Sequence, residues 1–219
     1  MAKPEFGQSH PSQAHPGAKW RWVGERGLRL ATGDATLARY GALSRLNLPE
    51  IEDIIPAGGS ILLILRRGEV VSAVLRQALV AAAADTPVAC GMLHEITVEY
   101  GGTAGPDLAG LAELAQMDAA TYIRCHSAVE YTVAFLGFQP GFPYLRGLPP
   151  VLNAPRRASP RVRVPAGSVA IGGGYCGIYP ASGPGGWHLI GRTDTVLFDP
   201  LRAAPALLVP GDHVRFVAA

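Results

Sequence analysis

From Trp20 onward, apolar and polar positions fall into short regular blocks. Residues 20–23 and 28–31 are strand-like runs around Gly24 and Gly27, which predicts a hairpin. Residues 35–46 place Leu37, Tyr40, Leu43 and Leu46 at helical spacing, with Asp34 as the expected N-cap. Residues 51–55 and 61–65 are β-branched or leucine-rich and flank Pro56-Ala57-Gly58-Gly59-Ser60, a second hairpin. The alanine-rich stretch 70–84 predicts a helix stopped near Asp85-Thr86-Pro87. The order ββαββα implies a small α+β domain, sandwich-like, with helices on one face of an antiparallel sheet.

Residues 87–93 resemble a linker, and a second pattern begins at His94. Ile96, Val98 and Tyr100 alternate with Glu95, Thr97 and Glu99, which predicts a half-buried strand over 94–100. Helices are expected over 108–117 and 118–125, the latter capped by Asp118. Short strands follow at 131–136, 162–165, 169–171, 177–179, 187–192, 196–198 and 213–217. So many short strands separated by turn residues predict a β-barrel or sandwich. The expected organisation is a disordered tail over 1–18, an α+β domain over 19–90 and a β domain over 91–219. The tail is polar and rich in Pro, Gly, Gln and Ser, and it holds His10 and His15.

Composition narrows the function classes. The chain has 219 residues, 48% hydrophobic and only 16% charged. That is enough for a sizeable core and leaves a lightly charged surface of the kind a partner covers. No apolar run is long enough to span a bilayer and no apolar leader follows Met1, so a cytoplasmic location without membrane insertion is expected. Cys90, Cys125 and Cys176 are odd in number and far apart, unlike a disulfide framework or zinc site. The only lysines are Lys3 and Lys19. A GxxxxGK[ST] phosphate loop is therefore absent, and the body of the chain offers no Schiff-base lysine.

The positive charge sits in one stretch. Residues 131–193 contain no Asp or Glu but carry Arg146, Arg156, Arg157, Arg161, Arg163 and Arg192. Guanidinium groups without local carboxylates are expected to be solvated or to await an anion. Residues 137–192 also hold 12 of the 27 glycines and 9 of the 19 prolines, so the arginines stand among sharply defined turns. Backbone N–H groups at Gly172-Gly173-Gly174 and around residues 183–186 can add anion-binding concavities. The implied ligand is a small carboxylate or phosphate, or an acidic patch on a partner. Nucleic acid fits less well, because the basic run is short, lysine-free and set in turns.

Proton-handling candidates are few. His126, with Ser127 and Tyr131 nearby, is the first choice, and His94 and His188 are alternatives. Read as a strand, Cys125 and His126 point to opposite faces and form no dyad. GxSxG is absent.

Several motifs run in order through the second half. They are His94-Glu95-Ile96, Tyr100-Gly101-Gly102, Gly105-Pro106-Asp107-Leu108, His126-Ser127 with Tyr131, and Gly137-Phe138 with Pro140-Gly141-Phe142-Pro143-Tyr144-Leu145. Pro155-Arg156-Arg157, Pro160-Arg161 and Arg163-Val164-Pro165-Ala166-Gly167-Ser168-Val169 come next, followed by Gly177-Ile178-Tyr179-Pro180. The last are Pro184-Gly185-Gly186-Trp187 with Leu189-Ile190-Gly191-Arg192-Thr193, Phe198-Asp199-Pro200 and Pro210-Gly211-Asp212. With these motifs the chain resembles the family that holds allophanate hydrolase subunit 1, KipI-like proteins and the B-type subunit of 5-oxoprolinase.

That resemblance implies a cyclophilin-like β-barrel after a small α/β domain. It implies a partner, called subunit 2 or the C-type subunit, and in the 5-oxoprolinase branch a third subunit. There the family opens a carboxylate-bearing lactam at the expense of ATP, with the nucleotide expected to involve the partner. Arg157, Arg163 and Arg192 are then the expected anion-binding residues, Ser168, Tyr144 and Trp187 shape the site, and His126 transfers a proton. Other branches imply inhibition of a sensor histidine kinase, or carboxyl transfer in urea and allophanate metabolism. The first half matches the family less well. Tyr175-Cys176 and His188 stand where relatives carry Gln with a small residue, and Gln, which implies an altered pocket lining.

Overall fold

A computed structural model describes residues 20–81 and 91–219. The expected tail, the end of the 70–84 helix with its stop signal, Cys90 and the start of the linker lie outside the described residues. The chain divides into two compact units, Met1–Ile55 with Gly59–Thr86, and Pro56–Gly58 with Pro87–Ala219. Among the described residues no helix is long and apolar enough to cross a membrane.

The first unit follows the ββαββα order. Strands β1 (Trp20–Val23) and β2 (Gly27–Ala31) pair antiparallel with Trp20 opposite Leu30. Helix α1 (Thr36–Leu46), β3 (Ile51–Ala57), β4 (Ser60–Leu65) and α2 (Ala73–Val80) complete it. The sheet order is β1-β2-β4-β3. Leu28, Leu30, Ile61 and Leu63 form one core with Leu43, Leu75 and Leu79 of the helices.

The helix starts differ from expectation. Asp34 does not cap α1; it lies in a 3-10 turn at Gly33–Ala35. The Thr36 hydroxyl donates to the Gly33 carbonyl at 2.8 Å instead. Helix α2 begins at Ala73 because Ser72 caps it, accepting from the Leu75 N–H at 3.0 Å. The buried face of α1 is Thr36, Arg39 and Leu43, while Leu46 is exposed. Arg39 turns inward because its guanidinium donates to the carbonyls of Ala78, Leu79 and Ala81, which the end of α2 leaves open.

The second unit is a closed seven-stranded barrel in the order β10-β7-β6-β13-β5-β12-β9. Its members are β5 (Leu93–Tyr100), β6 (Glu130–Leu136), β7 (Pro143–Arg146), β9 (Ser168–Gly172), β10 (Tyr175–Ile178), β12 (His188–Arg192) and β13 (His213–Ala218). β13 runs parallel to β5 and antiparallel to β6. Closure leaves no unpaired barrel edge. A separate two-stranded ribbon pairs β8 (Arg161–Val164) with β11 (Gly183–Gly185).

Helix α3 (Leu108–Leu114) ends before 117, where Gln116 takes a left-handed φ of 56°. Helix α4 (Ala119–Ser127) is capped as expected, with Asp118 accepting from the Thr121 N–H at 2.6 Å. The expected strand over 196–198 reduces to a single bridge, Phe198 to Ala206. Prolines and glycines mask β7 and β11 in the sequence; β7 tolerates Pro143 because it is the first strand residue.

Candidate functional site

His126 belongs to the barrel core. It sits on α4 rather than ahead of a strand, and it is completely buried. Its Nδ1 is 2.8 Å from the Tyr100 hydroxyl and its Nε2 is 3.3 Å from Cys176 Sγ. The Tyr131 hydroxyl donates to its carbonyl at 3.0 Å, and its ring lies 4.8 Å from that of Phe216. Burial lowers its pKa from 6.5 to about 3, so the imidazole is neutral. No substrate reaches this ring without opening the core. The expected proton-transfer role is therefore replaced by a structural one, in which a buried polar side chain has both ring nitrogens engaged.

The arginines gather elsewhere. A hollow of about 350 Å³ is lined by Arg161, Arg163, Arg192, Ser168, Glu99 and Leu189, with the 103–106 turn at its side. Its floor follows from strand register. On β12, Arg192 lies directly opposite Ser168 of β9 and Glu99 of β5. Residues opposite one another share a sheet face, so the three form a row across the barrel wall. On β8, whose pairing is irregular between Arg161 and Val164, Arg161 and Arg163 both line the hollow. The lining thus gathers three arginines and one carboxylate, Glu99. Ser168 is buried, whereas Arg163 and Arg192 are exposed. Arg163 Nε donates to the Ser182 hydroxyl at 3.2 Å, and among the described residues the Arg192 side chain makes no hydrogen bond or ion pair. A larger hollow of about 690 Å³ shares Glu99 and Arg192 but is otherwise lined by Glu95, Asp194 and threonines, which disfavours an anion.

The absence of acidic residues over 131–193 does not leave every guanidinium unpaired. Asp107, upstream of that stretch, accepts on one oxygen from Arg161 Nη2 at 2.8 Å and from Arg157 Nη1 at 3.2 Å. Its other oxygen accepts from the Leu189 N–H at 2.7 Å. Burial alone raises the Asp107 pKa, but the Arg161 and Leu189 hydrogen bonds and the two guanidinium charges outweigh it, so the net direction is down. Asp107 belongs to a recognisable motif, yet nothing in the sequence joins it to arginines about 50 positions away.

Of the expected site residues, Arg163, Arg192 and Ser168 converge on the smaller hollow. Arg161 joins them, although the sequence does not set it apart from the arginines around it. Arg157 is held by Asp107 and does not line the hollow. Tyr144 and Trp187 belong to an aromatic cluster with Phe142 and Tyr179. The Trp187 ring stands edge-on to Phe142 at 5.4 Å and to Tyr144 at 5.5 Å, with the Arg156 guanidinium 6.0 Å from its centroid. This cluster touches the hollow through Leu189, which belongs to both.

A small α+β unit joined to a closed barrel with a basic hollow on its wall defines a two-part protein of the barrel class. The chain belongs to the family described as carboxyltransferase domain, subdomain C and D, whose model matches residues 19–208. It is 48% identical over 189 residues to the 5-oxoprolinase B subunit of Escherichia coli O157:H7, covering 83% of this chain and 87% of that one. Its fold matches the crystal structure of TTHA0988 with a TM-score of 0.74 at 35% identity, covering 89% of this chain and 40% of that one. It also matches the urea amidolyase of K. lactis with a TM-score of 0.68, over 96% of this chain and 15% of that much longer one. At 20% identity that likeness concerns the fold alone.

Proposed function

We propose that this chain is a B-type subunit of a 5-oxoprolinase, an ATP-dependent hydrolase that opens a small lactam and works in the cytoplasm with a C-type partner subunit and a third subunit. The observation that carries this reading is the meeting of Arg161, Arg163, Arg192 and Ser168 on one hollow in a chain so similar to a B-type subunit of 5-oxoprolinase. The lactam carries one carboxylate, and guanidinium groups bind carboxylates by paired N–H donors. A hollow of about 350 Å³ suits a molecule of this size and is small for a nucleotide. ATP is therefore assigned to a site made with the partner, which also accords with the lack of a phosphate-loop lysine.

Within the hollow, Arg192 and Arg163 hold the substrate carboxylate. Arg161 joins them at the carboxylate, and the Ser168 hydroxyl faces the lactam amide, where negative charge develops on oxygen as the ring opens. Glu99 is the carboxylate on the lining and takes the proton-handling role first expected of His126.

The test is ATP hydrolysis stimulated by 5-oxo-L-proline, measured on the purified chain alone and then mixed with its partner subunits. Stimulation confined to the mixture supports the proposal. A stable assembly that 5-oxo-L-proline does not stimulate overturns it and favours a urea-type substrate or kinase inhibition.

A further inference from the structure

We infer that Asp107 is the positioning residue of the anion site: its carboxylate fixes the Arg161 guanidinium so that the remaining N–H donors are presented to the ligand. This rests on the functional reading above for the identity of the ligand, but the geometry stands apart from it.

Asp107 occupies the N-cap position of α3, where an aspartate ordinarily turns its carboxylate back onto the first free N–H groups of the helix. Here the side chain makes no such bond. It reaches across to Arg157, Arg161 and the Leu189 N–H. A local preference given up in this way points to a use elsewhere.

The carboxylate is also anchored. The Asp107 N–H donates to the Leu189 carbonyl at 3.0 Å, so backbone and side chain both grip β12 at one residue. Just upstream, a Cβ at Gly105 would run into the Ile190 carbonyl. The turn is thus pressed onto the strand that carries Arg192, and Asp107 is a fixed point to which the longer arginines come.

What Asp107 leaves free is as informative. Among the donors of Arg161, only Nη2 is engaged, while Nη1 is buried without a partner. Arg157 Nε is likewise buried without one. Buried donors without acceptors are unfavourable, so Asp107 holds both guanidinium groups in place at a cost. Arg161 lines the hollow, and its Nε, which has no partner and is not sealed as Nη1 is, is the donor a bound anion meets. Asp107 does not line the hollow and acts through Arg161.

The test uses the assembled enzyme. In Asp107→Asn, which keeps an acceptor for the Leu189 N–H but removes the charge, KM for 5-oxo-L-proline is expected to rise about tenfold while kcat changes little. Mass-spectrometric mapping of phenylglyoxal modification, which needs no substrate, is expected to find Arg161 labelled several-fold faster in the variant and Arg163 unchanged. Because an Asn at this position can weaken folding, the cycle is closed with Arg161→Met. Adding Asp107→Asn to that background should not raise KM further. Unchanged Arg161 labelling in a folded Asp107→Asn chain, or a full additional loss in the Arg161→Met background, overturns the inference. If the wild-type assembly ignores 5-oxo-L-proline, the substrate assignment fails, and Arg161 labelling decides the role of Asp107 by itself.

Discussion

His126 Nε2 lies 3.3 Å from Cys176 Sγ inside the barrel, on the far side of the imidazole from the Tyr100 hydroxyl. A helix thus delivers one histidine to two strands, β5 and β10, that are not neighbours in the barrel order. The three polar groups satisfy each other where water is excluded.

His126→Gln is therefore expected to reduce stability rather than act on chemistry, by about 1–3 kcal/mol in urea unfolding. The pH dependence carries its own signature. The folded-state pKa is about 3, below the 6.5 of an unperturbed histidine. The unfolded chain then binds the extra proton first as pH falls, so His126 withdraws stability from about pH 6.5 downward. The slope is about 1.4 kcal/mol per pH unit until the folded state also protonates. Above pH 6.5 this contribution is flat. Stability curves of wild type and His126→Gln should converge on acidification; parallel curves would show that His126 is not held neutral.

Cys176 is fully buried and burial pushes its thiol pKa up, whereas Cys125 is half-buried. The thiolate is the reacting form. Alkylation by iodoacetamide followed by peptide mapping should label Cys125 first and Cys176 only on unfolding. Early labelling of Cys176 in the folded chain would contradict the enclosed barrel.

At the hollow, Arg192→Ala should abolish 5-oxo-L-proline-dependent turnover, or raise KM about a hundredfold, with the unfolding midpoint unchanged. Arg192 is exposed and its side chain makes no internal hydrogen bond among the described residues, so little of the fold depends on it. Steady-state kinetics beside thermal denaturation separates the two effects. A large loss of stability would show that Arg192 is structural.

Gly105→Ala tests the support of Asp107 from the backbone side. The added methyl meets the Ile190 carbonyl, which belongs to a paired strand and cannot yield as a flexible side chain would. A loss of about 1–3 kcal/mol is expected in urea unfolding. Arg161 labelling should rise as it does for Asp107→Asn. Wild-type stability would mean that the 101–107 turn can move off β12.

Much of the fold is legible in the sequence because it depends on local pattern. Ile96 and Val98 alternate with polar neighbours and indeed face the barrel core, and Asp118 caps its helix as its position promises. The order ββαββα is readable for the same reason. What escapes depends on distant partners. His126 resembles an accessible residue because the predicted helix stops at 125, one residue short of it, whereas α4 runs to Ser127. The arginine hollow is foreseeable as chemistry but not as membership: Arg161 lines it and Arg157 does not, although the same Asp107 oxygen accepts from both. Tyr144 and Trp187 do lie near one another, but they pack together as core.

Arg39 offers the clearest test of the first unit, because a cation on the inner face of α1 runs against the pattern that predicts the helix. Its guanidinium reaches Ala78 O at 3.0 Å and Leu79 O at 3.1 Å and also bonds Ala81 O. Among the described residues these carbonyls have no intrahelical donor and Arg39 has no carboxylate partner. Burial lowers its pKa from the usual arginine value, yet a guanidinium remains charged throughout the accessible range. The carbonyl dipoles at a helix C-terminus favour that charge. Arg39→Met keeps the stem and removes the fork, leaving one buried and two part-buried carbonyl acceptors without it, and is expected to cost about 1–3 kcal/mol. Arg39→Lys should recover only a minor part, because one ammonium cannot span carbonyls of three residues in the plane a guanidinium provides. Chemical denaturation of the three chains gives the ordering directly. A lysine variant as stable as wild type would reduce Arg39 to a point charge and remove the geometric role of its planar donors.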